Sequence, residues 1–259
     1  MVIGISGKIG SGKDLVAKII QALTCQPSSL DRLNNPDLGN IDIERFIESK
    51  IWDIPKFTVH RFADALKDNV CNIIGCTRAQ LEDRDFKETP LPEEWWCYNI
   101  GGNLLSRGYY DNEADHKMAE ERYLVKTTPR MILQRLGTEG GRMLIHPNIW
   151  VNALFSGYQT RPVTLPDETT FIKDEEKWFE DRTSHWIIPD VRFPNELEAI
   201  QKREGITIRI ERPGYEATGN HLSETSLDDA LFDYTIQNDS SIEDLVHTVR
   251  LILNKEKIL

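Results

Sequence analysis

Eight consecutive residues, Gly7-Lys8-Ile9-Gly10-Ser11-Gly12-Lys13-Asp14, carry the strongest chemical signal in the chain. They satisfy the pattern G-x4-G-K. Glycines let successive backbone N–H groups turn inward around a phosphate, and a helix starting at the lysine adds positive potential. The ammonium of Lys13 can then reach the outer phosphates of a nucleotide. Such loops usually continue with Ser or Thr, whose hydroxyl ligates Mg2+, but this one continues with Asp14. A carboxylate about 4 Å from a phosphate charge would be repelled by roughly 4 kcal/mol at an effective dielectric of 20. A Mg2+ ion attracts both groups and reverses that sign, so Asp14 reads as a ligand to the metal or to its water. An acid stabilised by the helix dipole in the first turn is the plainer reading, and both can hold.

Three further stretches offer groups for a second anion. In "RFADALK", Arg61 and Lys67 could hold it, while Asp64 could orient an acceptor hydroxyl. In "PRMILQRLGTEGGR", Arg130 and Gln134 are four apart and share a helix face, Arg135 points elsewhere, and Arg142 follows. In "PDVRFPNE", Asp190 and Arg192 fall at a predicted strand end, where an acid can serve Mg2+ and an arginine a transferring phosphoryl group. Solvated charges at helix starts, or a capping acid, are the structural alternatives for each.

These groups need a scaffold, and the periodicity supplies one. Apolar runs predict strands at Val2–Ser6, Phe57–Phe62, His185–Ile188, Ile206–Glu211 and Tyr234–Gln237. Helical spacing predicts helices at Lys13–Leu23, over 41–52, over 63–75 ending at Gly75, from Pro129 capped by Thr128, over 147–158, at Asn195–Arg203 and at Ser241–Leu253. Residues 26–40 read as a surface loop, 84–125 as an inserted, partly helical lobe, and 161–184 as a polar excursion. Strands separated by helices imply an α/β fold, a parallel sheet covered on both faces within one domain over 1–259. Ligands of such sheets bind at the carboxyl ends of the strands, where the loop, Asp190 and Arg192 would converge.

The 259 residues are 39% hydrophobic and 28% charged, enough for one sizeable domain. A net charge of −11 argues against a nucleic-acid partner, though not against a basic pocket for one small anion. No apolar run approaches the roughly 20 residues that span a bilayer, and no leader-like start is visible, so neither a membrane nor export is expected. Cys25, Cys71, Cys76 and Cys97 form no metal-binding spacing and read as reduced thiols of a cytoplasmic protein.

The ordered set "GKIGSGKD", "RFADALK", "PRMILQRLGTEGGR…HPNIWV", "PDVRFPNELEAI" and "HLSE…DYTIQNDSSIEDL" resembles the deoxynucleoside monophosphate kinases of tailed bacteriophages. The resemblance implies a P-loop kinase fold with a five-stranded parallel core and an inserted substrate or lid lobe. It implies phosphoryl transfer from ATP, with Mg2+, to a dNMP in the host cytoplasm, the partners being small nucleotides. By motif it assigns Gly7, Lys8, Ile9, Gly10, Ser11, Gly12, Lys13 and Asp14 to ATP and metal. Lys67, Arg130, Gln134, Asp190, Arg192 and Glu196 go to the acceptor site, and Asn238 to the place where such kinases hold adenine. His221 and Glu224 match the pattern, and Trp95 and Trp96 could stack on a base or pack the lobe. Ala65 departs from it where proline is common. A homodimer is left open. Two other readings fit the loop: a P-loop kinase for phosphomevalonate or dephospho-coenzyme A, and a nucleotide-dependent switch without a small acceptor.

Overall fold

The computed structural model describes residues 1–26, 54–158, 185–214 and 225–259. The expected helix over 41–52, the excursion over 161–184, nearly all of the 26–40 loop, and His221 and Glu224 lie outside them. The chain forms two compact units, Met1–Phe62 with Val151–Leu259, and Ala63–Trp150.

The first unit is built on β1 (Val2–Gly7), which runs into α1 (Lys13–Thr24). A short antiparallel pair, β2 (Cys25–Gln26) with β3 (Ile54–Pro55), precedes β4 (Thr58–Val59). Later in the chain come β8 (Trp186–Val191), α8 (Pro194–Gln201), β9 (Ile206–Glu211), β10 (Tyr234–Gln237) and α9 (Ile242–Lys255). Five strands pair in parallel in the order β10-β9-β1-β8-β4. The two-residue alternation of a strand sends neighbouring side chains to opposite faces. Ile3, Ile5 and Ile187 pack with Val16, Ile19 and Ile20 of α1 and with Leu245, Val249 and Leu253 of α9. Val2, Ile188 and Val191 pack on the other face with Leu197 and Ile200 of α8 and with Val151 and Phe155 of α7 (Ile149–Phe155). Helices therefore cover both faces, as the continuous apolar strands require.

The pairing of β1 with β8 slips once. Gly4 faces Ile188 but Ser6 faces Val191, which leaves one extra residue on β8 at Pro189-Asp190. Pro189 has no N–H to give the ladder, so this is where a central strand can bulge. The expected turn carrying Asp190 is thus a bulged continuation of the strand. Conversely, the expected strand over 57–62 is reduced to two residues, because the Phe62 N–H bonds the Asp190 side chain and not the ladder.

The second unit holds α2 (Asp64–Ile74), α3 (Arg78–Glu82), α4 (Arg84–Glu88), α5 (Glu113–Tyr123) and α6 (Pro129–Gln134). It also contains a small antiparallel sheet, β6-β5-β7, from Asn103–Ser106, Cys97–Ile100 and Leu124–Val125. Thr128 caps α6 through its bond from Met131 N–H, with Pro129 in the first turn, as expected. The helix then widens into a π-helical segment, Arg135–Ile145. A side chain at Gly141 would meet the Leu136 carbonyl at 2.6 Å and the Trp150 ring at 2.9 Å, while Trp150 Nε1 donates to the Gly137 carbonyl at 2.9 Å. The indole needs that space and takes that carbonyl, which the wider winding provides. No described helix is long and apolar enough to cross a membrane.

Candidate phosphate-binding site

The loop between β1 and α1 lies at the carboxyl end of the central strand. Chain connections leave β1 toward β4 on one side and leave β8 toward β9 on the other, the arrangement that opens a ligand crevice in α/β sheets. Gly12 is the residue before α1 and has φ 99°, a left-handed conformation that suits glycine. No side chain caps α1, and a helix start of this kind is where an anion can be bound. The Lys13 ammonium reaches back over the loop, donating to the carbonyls of Gly7 at 2.6 Å and Lys8 at 2.7 Å. Lys8, Ile9 and Gly10 form the outer arc, and Arg212 Nη1 donates to the Gly10 carbonyl at 3.3 Å.

Ser11 is 1% exposed, and its Oγ makes no hydrogen bond among the described residues. A buried hydroxyl left unsatisfied costs about 1–3 kcal/mol, so such atoms in native structures call for a partner. Ser11 lines a cavity of about 370 Å³ together with Lys8, Arg209, Arg212, Asp228 and Gln237. Arg209 is held there by Ser6 Oγ at 3.1 Å and Asp228 at 2.9 Å. Sequence reading missed both arginines, because β9 reads as an apolar strand and its position beside the loop depends on sheet order.

Asp14 is 72% exposed and pairs with Arg61 at 2.9 Å. Asp190 sits at the β8 bulge and accepts the Phe62 N–H at 3.1 Å. The two contacts bring the start of α1, the segment after β4 and the end of β8 to the same edge of the sheet. Arg192 follows that bulge, and its backbone N–H is bound by Glu196 at 2.8 Å. Glu196 is 2% exposed and also accepts the Phe193 N–H, at 3.1 Å, so its carboxylate fixes the turn into α8. Asn238 donates from Nδ2 to the Ser11 carbonyl at 2.8 Å, which ties the loop to the end of β10.

The remaining sequence candidates belong to the second unit. Lys67 pairs with Glu82 at 2.7 Å, Arg130 with Glu88 at 2.9 Å, and Asp64 with Arg78 at 2.9 Å. Gln134 is exposed on α6. Arg78, absent from the sequence reading, also bonds Asp68 and Glu82, and its guanidinium is held firmly charged: burial opposes this, but Asp64, Asp68 and Glu82 outweigh it. Trp96 donates Nε1 to the Leu91 carbonyl, with the Lys126 ammonium 4.8 Å from its ring centre.

Comparison with known proteins adds what geometry alone does not give. The family described as deoxynucleotide monophosphate kinase matches residues 115–249, just over half of the chain. The deoxynucleoside-5'-monophosphate kinase of Escherichia phage T5 is 26% identical over 217 residues, 78% of this chain and 72% of that protein. The deoxynucleotide monophosphate kinase of Enterobacteria phage T4 is 30% identical over 66 residues, 26% of this chain and 27% of that protein. With a parallel five-stranded sheet and a phosphate loop after its central strand, the chain belongs to the deoxynucleotide monophosphate kinase family.

Proposed function

We propose that this chain transfers the γ-phosphoryl group of ATP to the phosphate of a deoxynucleoside monophosphate, giving a dNDP and ADP. The observation that carries the reading is the loop itself: a helix start without a side-chain cap, an inward lysine ammonium and a buried Ser11 hydroxyl with no partner among the described residues. The backbone N–H groups of Gly7–Lys13 would hold the inner phosphates of ATP. Lys13 would exchange its two carbonyl bonds for phosphate oxygens, and the cavity bordered by Ser11, Arg209 and Arg212 would take the rest of the nucleotide.

The donor set also fits Mg2+, which typically binds one or two carboxylates and completes its shell with water and phosphate oxygens. Asp14 and Asp190 would hold the ion directly or through water, and the ion would neutralise charge on the transferring group. Arg61 keeps the Asp14 carboxylate in place. Lys67 and Arg130 would bind the acceptor phosphate, and Arg192 would meet charge developing during transfer. In the reaction, the bond from the γ-phosphorus to the bridging oxygen breaks and one to an acceptor oxygen forms. A phosphate monoester has its second pKa near 6, so it is already a dianion at neutral pH and needs no strong base. Positioning and charge neutralisation therefore supply the catalysis.

Acceptor profiling tests this. Purified protein with Mg-ATP should release ADP with at least one of the four common dNMPs, faster than with the matching ribonucleotide. Activity only with phosphomevalonate or dephospho-coenzyme A would keep the fold and overturn the acceptor. Tight ATP binding without any acceptor would favour a switch.

A further inference from the structure

Two acids, Glu211 and Asp228, line the cavity beside the phosphate loop. A carboxylate repels phosphate, so an acid in such a cavity suits the uncharged part of a nucleotide. An ionised carboxylate only accepts hydrogen bonds. The donors that a nucleotide offers it are the sugar hydroxyls and the N–H groups of the base.

The two acids are held differently. Arg209 and Glu211 share one face of β9, while Ile208 and Ile210 go to the core on the other. Gln237 is the register partner of Glu211 and donates to it at 2.6 Å, so that carboxylate already has an amide donor. Asp228 has an arginine instead. Arg209 Nη2 donates to its Oδ1 at 2.9 Å, and Arg209 Nη1 donates to the Oγ of Ser6, its register partner on β1, at 3.1 Å. Only 12% of the Arg209 side chain is exposed, and its Cζ lies 5.8 Å from the centre of the Phe232 ring. The backbone is fixed as well: Leu227 belongs to the core that contains Val2 and Ile200, and the Asp228 N–H bonds the Thr225 carbonyl at 3.1 Å. Arg209 is the one side-chain partner of Asp228 among the described residues, which leaves acceptor capacity on a carboxylate that is 39% exposed.

We propose that Asp228, held in place by Arg209, accepts the sugar hydroxyls of the phosphoryl donor. This rests on the reading of the loop and its cavity as the ATP site, and it adds a binding residue that neither motif nor spacing singles out. A carboxylate at a nucleotide site is suited to a sugar hydroxyl, and Arg209 balances its charge before any ligand arrives. "SLDDALFD" looks like an acidic surface turn, and only the pairing of β9 beside β1 gives one of its acids an anchored arginine.

The test is calorimetric titration of the full chain, without acceptor, using ATP, 2′,3′-dideoxy-ATP and inosine triphosphate, which keeps both hydroxyls but lacks the 6-amino group. The wild-type chain should bind dideoxy-ATP about tenfold or more weakly than ATP, as loss of hydrogen bonds to a charged group does. That comparison requires no variant. D228A should bring ATP to within about threefold of dideoxy-ATP and leave dideoxy-ATP itself within about threefold of wild type, since no hydroxyl bond remains to be lost. The ratio of ATP to inosine triphosphate should not change. Equal binding of ATP and dideoxy-ATP by the wild-type chain would overturn the proposal. So would an equal loss of both in D228A, the mark of a purely structural acid, or a change in the inosine ratio alone, the mark of a base contact. Because titration needs no turnover, hydroxyl-dependent ATP binding without transfer to any dNMP would refute the kinase reading alone. Normal turnover with ATP and dideoxy-ATP bound alike would refute this inference alone, and a chain that binds neither would refute both.

Discussion

Replacing Gly12 with alanine tests whether the loop is held by the contacts described. At φ 99° an L-residue is strained, at a cost of about 1–2 kcal/mol. Its Cβ would also stand 2.5 Å from Asn238 Nδ2, the atom that donates to the Ser11 carbonyl at 2.8 Å. Asn238 must therefore swing away, and that hydrogen bond, worth about 1 kcal/mol net, is lost. Gly12→Ala should cost about 2–3 kcal/mol and Asn238→Ala about 1 kcal/mol, by the same two principles. The double variant should be no worse than Gly12→Ala alone, since both remove one hydrogen bond. The expected coupling is about 1 kcal/mol of non-additivity. Urea unfolding of the four proteins at constant m-value measures it. Strictly additive costs would show that Asn238 does not contact the loop at Gly12, and the positioning argument would fall.

Lys13→Ala should abolish turnover and change unfolding stability by no more than about 1 kcal/mol, because its bonds to Gly7 and Lys8 lie within one part-exposed loop. Turnover within a few-fold of wild type would remove the loop from the mechanism. Asp14→Ala should raise the Mg2+ concentration needed for activity more than it weakens metal-free ATP binding, since a repulsive charge leaves as well; an unchanged Mg2+ titration would restrict Asp14 to the helix start. Arg192→Ala should depress kcat and Arg130→Ala should raise the acceptor KM, and the reverse pattern would exchange their roles. Burial opposes ionisation of Glu82, but Lys67, Arg78 and Lys87 outweigh it and hold its carboxyl below the ordinary 4.5. A carboxyl depressed on folding stabilises above its unfolded pKa and loses that contribution as pH falls through the folded value. The stability gap between wild type and Glu82→Gln should therefore be constant from about pH 6 to 8 and close below about pH 4.5, modestly because Glu82 is half-exposed. A gap that persists in acid would show that charge at Glu82 is not what holds Lys67.

Local patterns made much of this fold legible. Ile206–Glu211 and Tyr234–Gln237 form strands where their alternation says they should, and Ser241 caps the last helix through the Asp244 N–H. The glycine loop was legible because its spacing encodes one backbone shape. What escaped depends on partners distant in sequence. Asp190 read as a turn residue, since nothing local shows that Pro189 bulges a strand paired to β1. Glu196 also binds the N–H groups of Arg192 and Phe193, a structural role that its motif did not show. Arg209 was hidden in an apolar strand, because only the order of strands in the sheet brings it to the cavity beside Ser11.

Tracing the γ-phosphorus of labelled ATP tests the central claim most directly. With Mg2+ and a suitable dNMP, the label should appear in the β-position of the dNDP at the rate ADP forms, and Lys13→Ala should eliminate it. Label recovered only as inorganic phosphate or on the protein, with no labelled dNDP from any of the four common dNMPs, would contradict it.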